Sequence, residues 1–237
     1  MKYVLDSHTH TIVSGHAYST LHEMAREAAE KGLELLGVTE HSLTMPGTCH
    51  EYHFQNMRMI PRKLCGIQVM HGTEANIIGY DGSLDMEEYL LETMDVVIAS
   101  LHTPCIRPGT KEENTRALLG AIENPYVNII GHPDDSRYPV DYERVVKAAK
   151  EEGVLLELNN ASLNPKSFRE NAEPNDRKML KLCMEYEVPI ILGSDAHIQE
   201  DIANFRYIEP ILDSLGFPEE LIVNRSVEEY RKYINRK

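Results

Sequence analysis

The chain contains no run of about 18 or more apolar residues, so none of its segments reads as a membrane-spanning helix. Its opening stretch, MKYVLDSHTH, also lacks the apolar centre of a secretory signal. The expected compartment is the cytoplasm, with no membrane partner. Cysteine is scarce, four in 237 residues, and Cys49, Cys65, Cys105 and Cys183 form neither a CxxC pair nor a tight framework. That spacing fits reduced structural thiols and excludes a thiolate zinc site. Positive charge is short as well: 24 Lys and Arg stand against 38 Asp and Glu, a formal net charge of -14. A surface of that sign is not built to grip nucleic acid. It still admits a phosphorylated small molecule, because bound divalent cations can reverse the field inside a cleft. Neither a serine nucleophile elbow nor a phosphate-binding P-loop is present, and no linker rich in Gly, Pro or Ser divides the chain.

What is present is a rhythm. Short runs rich in Val, Ile and Leu alternate with helical patterns, the signature of βα units around a parallel sheet. Seven strands are expected at residues 3–6, 34–40, 67–74, 95–101, 127–132, 154–159 and 189–195. Helices are expected at 19–32, 110–123, 141–153 and 175–187, with Ser19, Thr110, Asp141 and Asn175 as caps and Gly32 and Gly153 as stops, and a terminal helix follows in SVEEYRKYI. One domain over residues 1–237, an α/β chain closed or nearly closed into a barrel, fits this pattern better than an open doubly wound sheet, which would show a single switch-point crevice.

Polar residues crowd the ends of those strands. Asp6, His8 and His10 follow the first; Glu40 and His41 the second; Glu74 ends the third; His102 follows the fourth and His132 the fifth; Glu157, Asn159 and Asn160 end the sixth; Asp195 and His197 follow the seventh. In a (β/α) barrel all such ends meet on one face, where these folds place their active sites. Alternate residues of an extended strand share a side, so His8 with His10, and Asp195 with His197, can enter one cavity. Imidazoles and carboxylates without thiolates suit zinc, with manganese and iron as alternatives. Clustering so many histidines and carboxylates at one pole without cations would cost several kcal/mol for each uncompensated group, on the order of any unpaired buried charge. His22 is expected on a helix surface and His71 in the core, whereas His50 and His53 fit a cleft lining or a helix cap equally.

Four stretches, DSHTHT (6–11), TEH (39–41), GHP (131–133) and GSDAH (193–197), resemble in order the motifs of the PHP (polymerase and histidinol phosphatase) metal-dependent hydrolases. HAYST, EANI and LELNN are similar to the bacterial YcdX-type phosphatases within that family. The resemblance implies a distorted (β/α)7 TIM-like barrel with its active site at the C-terminal ends of the strands. It implies a trinuclear centre: His8, His10, Glu74 and Asp195 around one ion, His102 and His132 with a bridging Glu74 around the second, and His16, His41 and His197 around the third. The reacting centre would comprise His8, His10, Glu74, His132 and Asp195. Glu40 stands where the family commonly has Asp and would orient a histidine rather than bind metal.

The implied activity is hydrolysis of a small-molecule phosphate monoester by metal-activated water, without a covalent intermediate. Arg58 and Arg62 are candidates to grip the phosphate, with a surface ion pair as the competing role. Alternatives are histidinol phosphate hydrolysis, a phosphodiesterase or exonuclease, an amidohydrolase-type barrel, and a metal-binding module without catalysis. A homo-oligomer is compatible with the sequence.

Overall fold

The computed structural model describes residues 2–234. In chain order its strands are β1 (Leu5–Asp6), β2 (Leu35–His41), β3 (Lys63–Leu64), β4 (Ile67–Asn76), β5 (Val96–Ser100), β6 (Ile129–Ile130), β7 (Leu155–Asn159) and β8 (Ile190–Gly193). The helices are α1 (Leu21–Glu30), α2 (Glu51–Asn56), α3 (Glu88–Leu91), α4 (Lys111–Glu123), α5 (Tyr142–Glu152), α6 (Ala172–Tyr186), α7 (Glu209–Leu215) and α8 (Val227–Ile234). Every strand but β3 runs parallel to its neighbours, in the order β1-β2-β4-β5-β6-β7-β8, and β3 pairs antiparallel with the start of β4. All seven expected strands are therefore present in a distorted (β/α)7 barrel.

Alternation along each strand builds two cores. Leu5, Leu35, Ile98, Ile129, Leu155 and Ile191 point into the barrel, where Tyr230 and Ile234 of α8 join them. Their strand neighbours Val97, Ala99, Leu156 and Ile190 point outward into a second cluster shared with α4, α5 and α6. The third cluster seats α1 on Leu36, Val38 and Val69.

The barrel closes between its first and last strands without a regular ladder. Thr9 bridges Ala196, the Asp195 N–H donates to the His8 carbonyl at 3.0 Å, and the His10 N–H to the Ala196 carbonyl at 2.9 Å. Lower in the same seam, fully buried Asn224 acts as a stitch. Its Nδ2 donates to the Leu5 and Leu192 carbonyls, its Oδ1 accepts from the Leu192 N–H, and its own carbonyl accepts from the Val4 N–H.

Helix ends follow the sequence signals with two corrections. Thr110 and Asp141 cap α4 and α5, and Gly153 ends α5 in the left-handed conformation. The cap of α1 is Thr20, in a capping box with Glu23, and not Ser19, whose hydroxyl instead accepts the Gln199 N–H. Helix α6 begins three residues before the expected cap Asn175, because Pro174 falls in the first turn, where its missing N–H has no partner to lose. The Asn175 side chain instead donates to the Asp134 carbonyl at 2.6 Å.

Candidate metal centre

The β2–β4 register sets His41 opposite Glu74, and this one ladder step brings His41 Nδ1 within 2.8 Å of Glu74 Oε2. Glu74 is the hub of the barrel mouth. Its Oε1 lies 2.8 Å from His132 Nε2, 3.2 Å from His102 Nε2 and 3.5 Å from His8 Nε2, while Oε2 faces His41 and, at 3.5 Å, His10. Asp195 completes the ring across the barrel seam: its Oδ1 is 3.4 Å from His10 Nε2, 3.7 Å from His8 Nε2 and 3.5 Å from His197 Nδ1.

Side chains from six strand ends thus offer four overlapping donor triads: His8–His10–Glu74, His8–His132–Asp195, His41–Glu74–His102 and His10–His41–His197. Within each triad the ligand atoms lie within 4.8 Å of one another. The triads cut across the three sets that the family resemblance implies, and His41 belongs to two of them. His16 joins the same face by its ring, stacked 4.8 Å from His41 and 4.9 Å from His197.

The imidazoles are held by a shared device. His8 donates Nδ1–H to Glu157 Oε1 at 2.6 Å, His10 to Ser14 Oγ at 3.1 Å, His102 to Asn76 Oδ1 at 2.7 Å, and His197 to the Asp195 carbonyl at 2.9 Å. A proton committed to Nδ1 leaves the Nε2 lone pair for a cation. Glu40 enters through Ser14, whose hydroxyl donates to Glu40 Oε2 at 2.6 Å, so this carboxylate reaches His10 at one remove.

Backbone conformation contributes as well. His132 and Asp195 both sit at positive φ, 29° and 55°. Such positions cost roughly 1–3 kcal/mol each and survive where surrounding structure holds them. The His132 N–H is tied to Glu157 Oε2 at 2.9 Å. Only glycine fits at 193, since a Cβ there would stand 1.8 Å from Glu157 Oε1.

Charge and burial agree on what these side chains would hold. Burial would raise the Glu74 and Asp195 carboxyls, but for Glu74 His102, His8 and His41, and for Asp195 His8, His10, His197 and Arg169, outweigh it and hold both well below the usual range. Burial, helped by neighbouring His41 and His197, pushes His10 well down and His16 to about 4. Burial pulls His8 the same way, yet Glu157, Asp195 and Glu74 overcome it and raise His8 well above an ordinary imidazole. Most decisively, His8 Nε2, His10 Nε2, His41 Nδ1 and Glu74 Oε2 are buried and make no hydrogen bond, the 2.8 Å approach of His41 to Glu74 being a charge contact without hydrogen-bond geometry. Buried polar atoms without partners are costly. A set of orphaned imidazole and carboxylate donors converging on one point fits a group of divalent ions.

The two arginines named from sequence are not brought to this centre. Arg62 pairs with Asp95, which precedes β5 at the opposite end of the strands, and Arg58 is exposed on the 3-10 turn after α2. The guanidinium that does arrive is Arg169, from the loop between β7 and α6. It donates to Ser162 Oγ at 2.9 Å, to Asn159 Oδ1 at 3.3 Å and to Asp195 Oδ2 at 3.3 Å. Beside Ser162 a cavity of about 310 Å³ opens, lined by Leu163, Ala172, Tyr207 and Ile211 among others. Of the remaining histidines, His22 is exposed, His71 buried, His53 half-buried in α2, and His50 caps α2 by accepting the Tyr52 N–H.

Residues 6–161 match the PHP domain family. A probable phosphatase of Clostridium novyi (strain NT) is 49% identical over 237 residues, spanning 100% of this chain and 96% of that protein. Another from Acetivibrio thermocellus is 46% identical, spanning 100% and 97%. Among solved structures, the histidinol phosphate phosphatase of Lactococcus lactis, complexed with zinc, L-histidinol and phosphate, is similar with a TM-score of 0.63 at 18% identity, over 91% of this chain and 95% of that one. A Xaa-Pro dipeptidase with bound methionine follows at 0.51 and 14%, over 98% and 76%. At such identities the two structures share the fold with this chain.

Proposed function

The chain belongs to the PHP domain family, and on that premise we propose that it is a metal-dependent phosphatase, one PHP domain over residues 1–237, acting on a small-molecule phosphate monoester. The observation that carries this reading is the set of buried donor atoms on His8, His10, His41 and Glu74 that converge without making a hydrogen bond. The curated relatives, matched over the whole chain and named probable phosphatases, support it.

His8, His10, His41, Glu74, His102, His132, Asp195 and His197 would hold the ions, with His16 as a further donor beside His41 and His197. We favour three ions and zinc, since neutral imidazoles and carboxylates without sulfur suit it, and manganese or iron would fit the same atoms. Bound there, such ions lower the pKa of water toward neutrality and neutralise the charge of a phosphoryl group. The reaction exchanges one P–O bond for another: the ester bond breaks, water supplies the new oxygen, and phosphate and an alcohol leave.

The residues of the chain prepare that exchange. Glu157, Ser14 and Asn76 keep three imidazoles fixed, so the donors need no rearrangement. Arg169, 15% exposed and held beside Asp195 and Ser162, would supply a planar pair of donors to the phosphate, the role that the sequence suggested for Arg58 and Arg62. The cavity beside Ser162 would receive the alcohol portion. The compartment consistent with its four free thiols is the cytoplasm.

Purified protein should contain tightly bound divalent metal and hydrolyse p-nitrophenyl phosphate faster than the bis(p-nitrophenyl) diester, with turnover lost in His132→Ala. Absence of turnover with zinc, manganese and iron would sink the proposal, and a preference for the diester would replace it with a nuclease-type activity.

A further inference from the structure

Asn76 ends β4, and only one half of its amide is available to His102. Its Nδ2 is committed to Asp85 Oδ2 at 2.8 Å and to Ser42 Oγ at 3.1 Å, leaving Oδ1 to face His102 Nδ1 at 2.7 Å. Asp85 also accepts the Asn76 backbone N–H at 2.9 Å, the Ser42 hydroxyl, and both the N–H and hydroxyl of Thr44 at 2.7 Å. One half-buried carboxylate therefore gathers five donors from the ends of β2 and β4. Ser42 directly follows His41, and its own N–H donates to the Glu74 carbonyl at 3.1 Å.

We propose that Asp85 is a positioning residue for the metal centre: by accepting hydrogen bonds and donating none, it fixes which end of the Asn76 amide meets His102. The inference rests on the reading of His102 as a metal donor. An ionised carboxylate can only accept, so the NH2 of Asn76 must point to it and the carbonyl must point away. Facing that carbonyl, His102 keeps its proton on Nδ1 and turns its Nε2 lone pair toward Glu74 Oε1, 3.2 Å away. With the amide reversed, an NH2 group would meet Nδ1, the proton would move to Nε2, and the donor position would close.

The segment that carries Asp85 is built to stay in place. It leaves β4 as a short excursion closed by the Ile77–Leu84 bridge. Its turn lies so near α4 that a Cβ on Gly82 would stand 2.4 Å from the Ala121 nitrogen, and a Cβ on Gly120 2.0 Å from the Asp81 carbonyl. Arg116 Nε adds a hydrogen bond to the Tyr80 carbonyl at 3.0 Å.

The test compares wild type with Asp85→Asn, His102→Ala and Asp81→Asn, the last an exposed acid of the same excursion. Zinc content after dialysis against graded chelator, zinc release rate, and imidazole 15N shifts of the metal-free protein at pH 8 are measured. Asp85→Asn should bind its weakest-held zinc roughly 10- to 100-fold less tightly, as loss of an orienting partner does elsewhere. Asp81→Asn should match wild type, and His102 of metal-free wild type should be the Nδ1–H tautomer. Unchanged zinc affinity in a folded Asp85→Asn overturns the inference. So does an Nε2–H tautomer in the wild type, a result that needs no variant to fold. If His102→Ala itself keeps wild-type zinc, the assignment of His102 as a ligand fails instead.

Discussion

Glu157 Oε1 lies 2.6 Å from His8 Nδ1 while its Oε2 accepts the backbone N–H of His132, so one carboxylate orients a donor from β1 and steadies the strained backbone of a donor after β6. Glu157→Gln keeps the shape and removes the charge. Metal affinity should fall roughly 10- to 100-fold, read as zinc retained against a competing chelator, and turnover should fall with it at limiting zinc.

Arg169 differs in kind, because it brings a fixed positive charge to the site: it donates to Asp195 Oδ2 and also reaches Ser162, a residue of the cavity wall. Arg169→Ala should lower kcat/KM for the monoester roughly 10- to 100-fold, the weight of a hydrogen bond to a charged group, when assayed at saturating zinc so that any loosening of Asp195 is offset. Arg169→Lys should recover only part of the loss, since an ammonium cannot reproduce the planar fork. Inhibition by inorganic phosphate should weaken in parallel in both variants.

Removing the metal should destabilise the protein. Stripped of zinc, the cluster retains its partnerless donors, so Tm should drop on chelation and return on zinc addition. Free zinc at 100 times its dissociation constant corresponds to about 2.7 kcal/mol. Scanning calorimetry over a zinc series checks this, and a Tm independent of zinc would show that the folded state does not bind it.

Asp176 in α6 is fully buried and neither of its oxygens has a hydrogen-bond partner. Burial raises its carboxyl well above the usual range, with Asp134 and Glu157 adding to the effect and Arg169 opposing it. A raised acid ionises more readily in the unfolded chain, so its penalty grows as pH climbs from its ordinary value toward the folded one. Asp176→Asn should therefore gain Tm over wild type at pH 8 and lose most of that advantage near pH 4; an advantage that shrinks with rising pH would contradict this.

Asn224 supplies a stability prediction apart from the metal. Asn224→Ala leaves the Leu192 N–H and two carbonyls of the seam without partners. Exposing buried groups in this way costs about 1–3 kcal/mol each when water cannot reach them, and urea unfolding of the metal-free protein should show a loss of that order.

Much of this could be read from the sequence because barrels concentrate chemistry at strand ends. The seven parallel strands carry alternating apolar residues, and donors just after them had to converge once the barrel was recognised. Short pieces escaped: α2, α3 and α7 have 6, 4 and 7 residues, too few for a helical period to show. Arg62 escaped for a related reason. The two-residue strand β3 folds it back beside the start of β4, away from the mouth, and nothing local marks that hairpin. Arg169 reaches the site only through the path of a loop, which no periodicity encodes. Glu157 did leave a trace: in LLELN it occupies an inward position beside Leu155, and a carboxylate there had to have a partner.

The stitch at Asn224 has a consequence for how the protein is made. Strands β1 and β8 meet along a seam that residue 224 secures at its lower end, and the donors His8, His10, Asp195 and His197 face one another across it. A chain emerging from the ribosome exposes its first histidines long before the asparagine that secures their final neighbours. During that interval the early strands can pair, but Asp195 and His197 are still missing from the ring. The donor ring is therefore complete only once residues 190–224 have packed against the first strand.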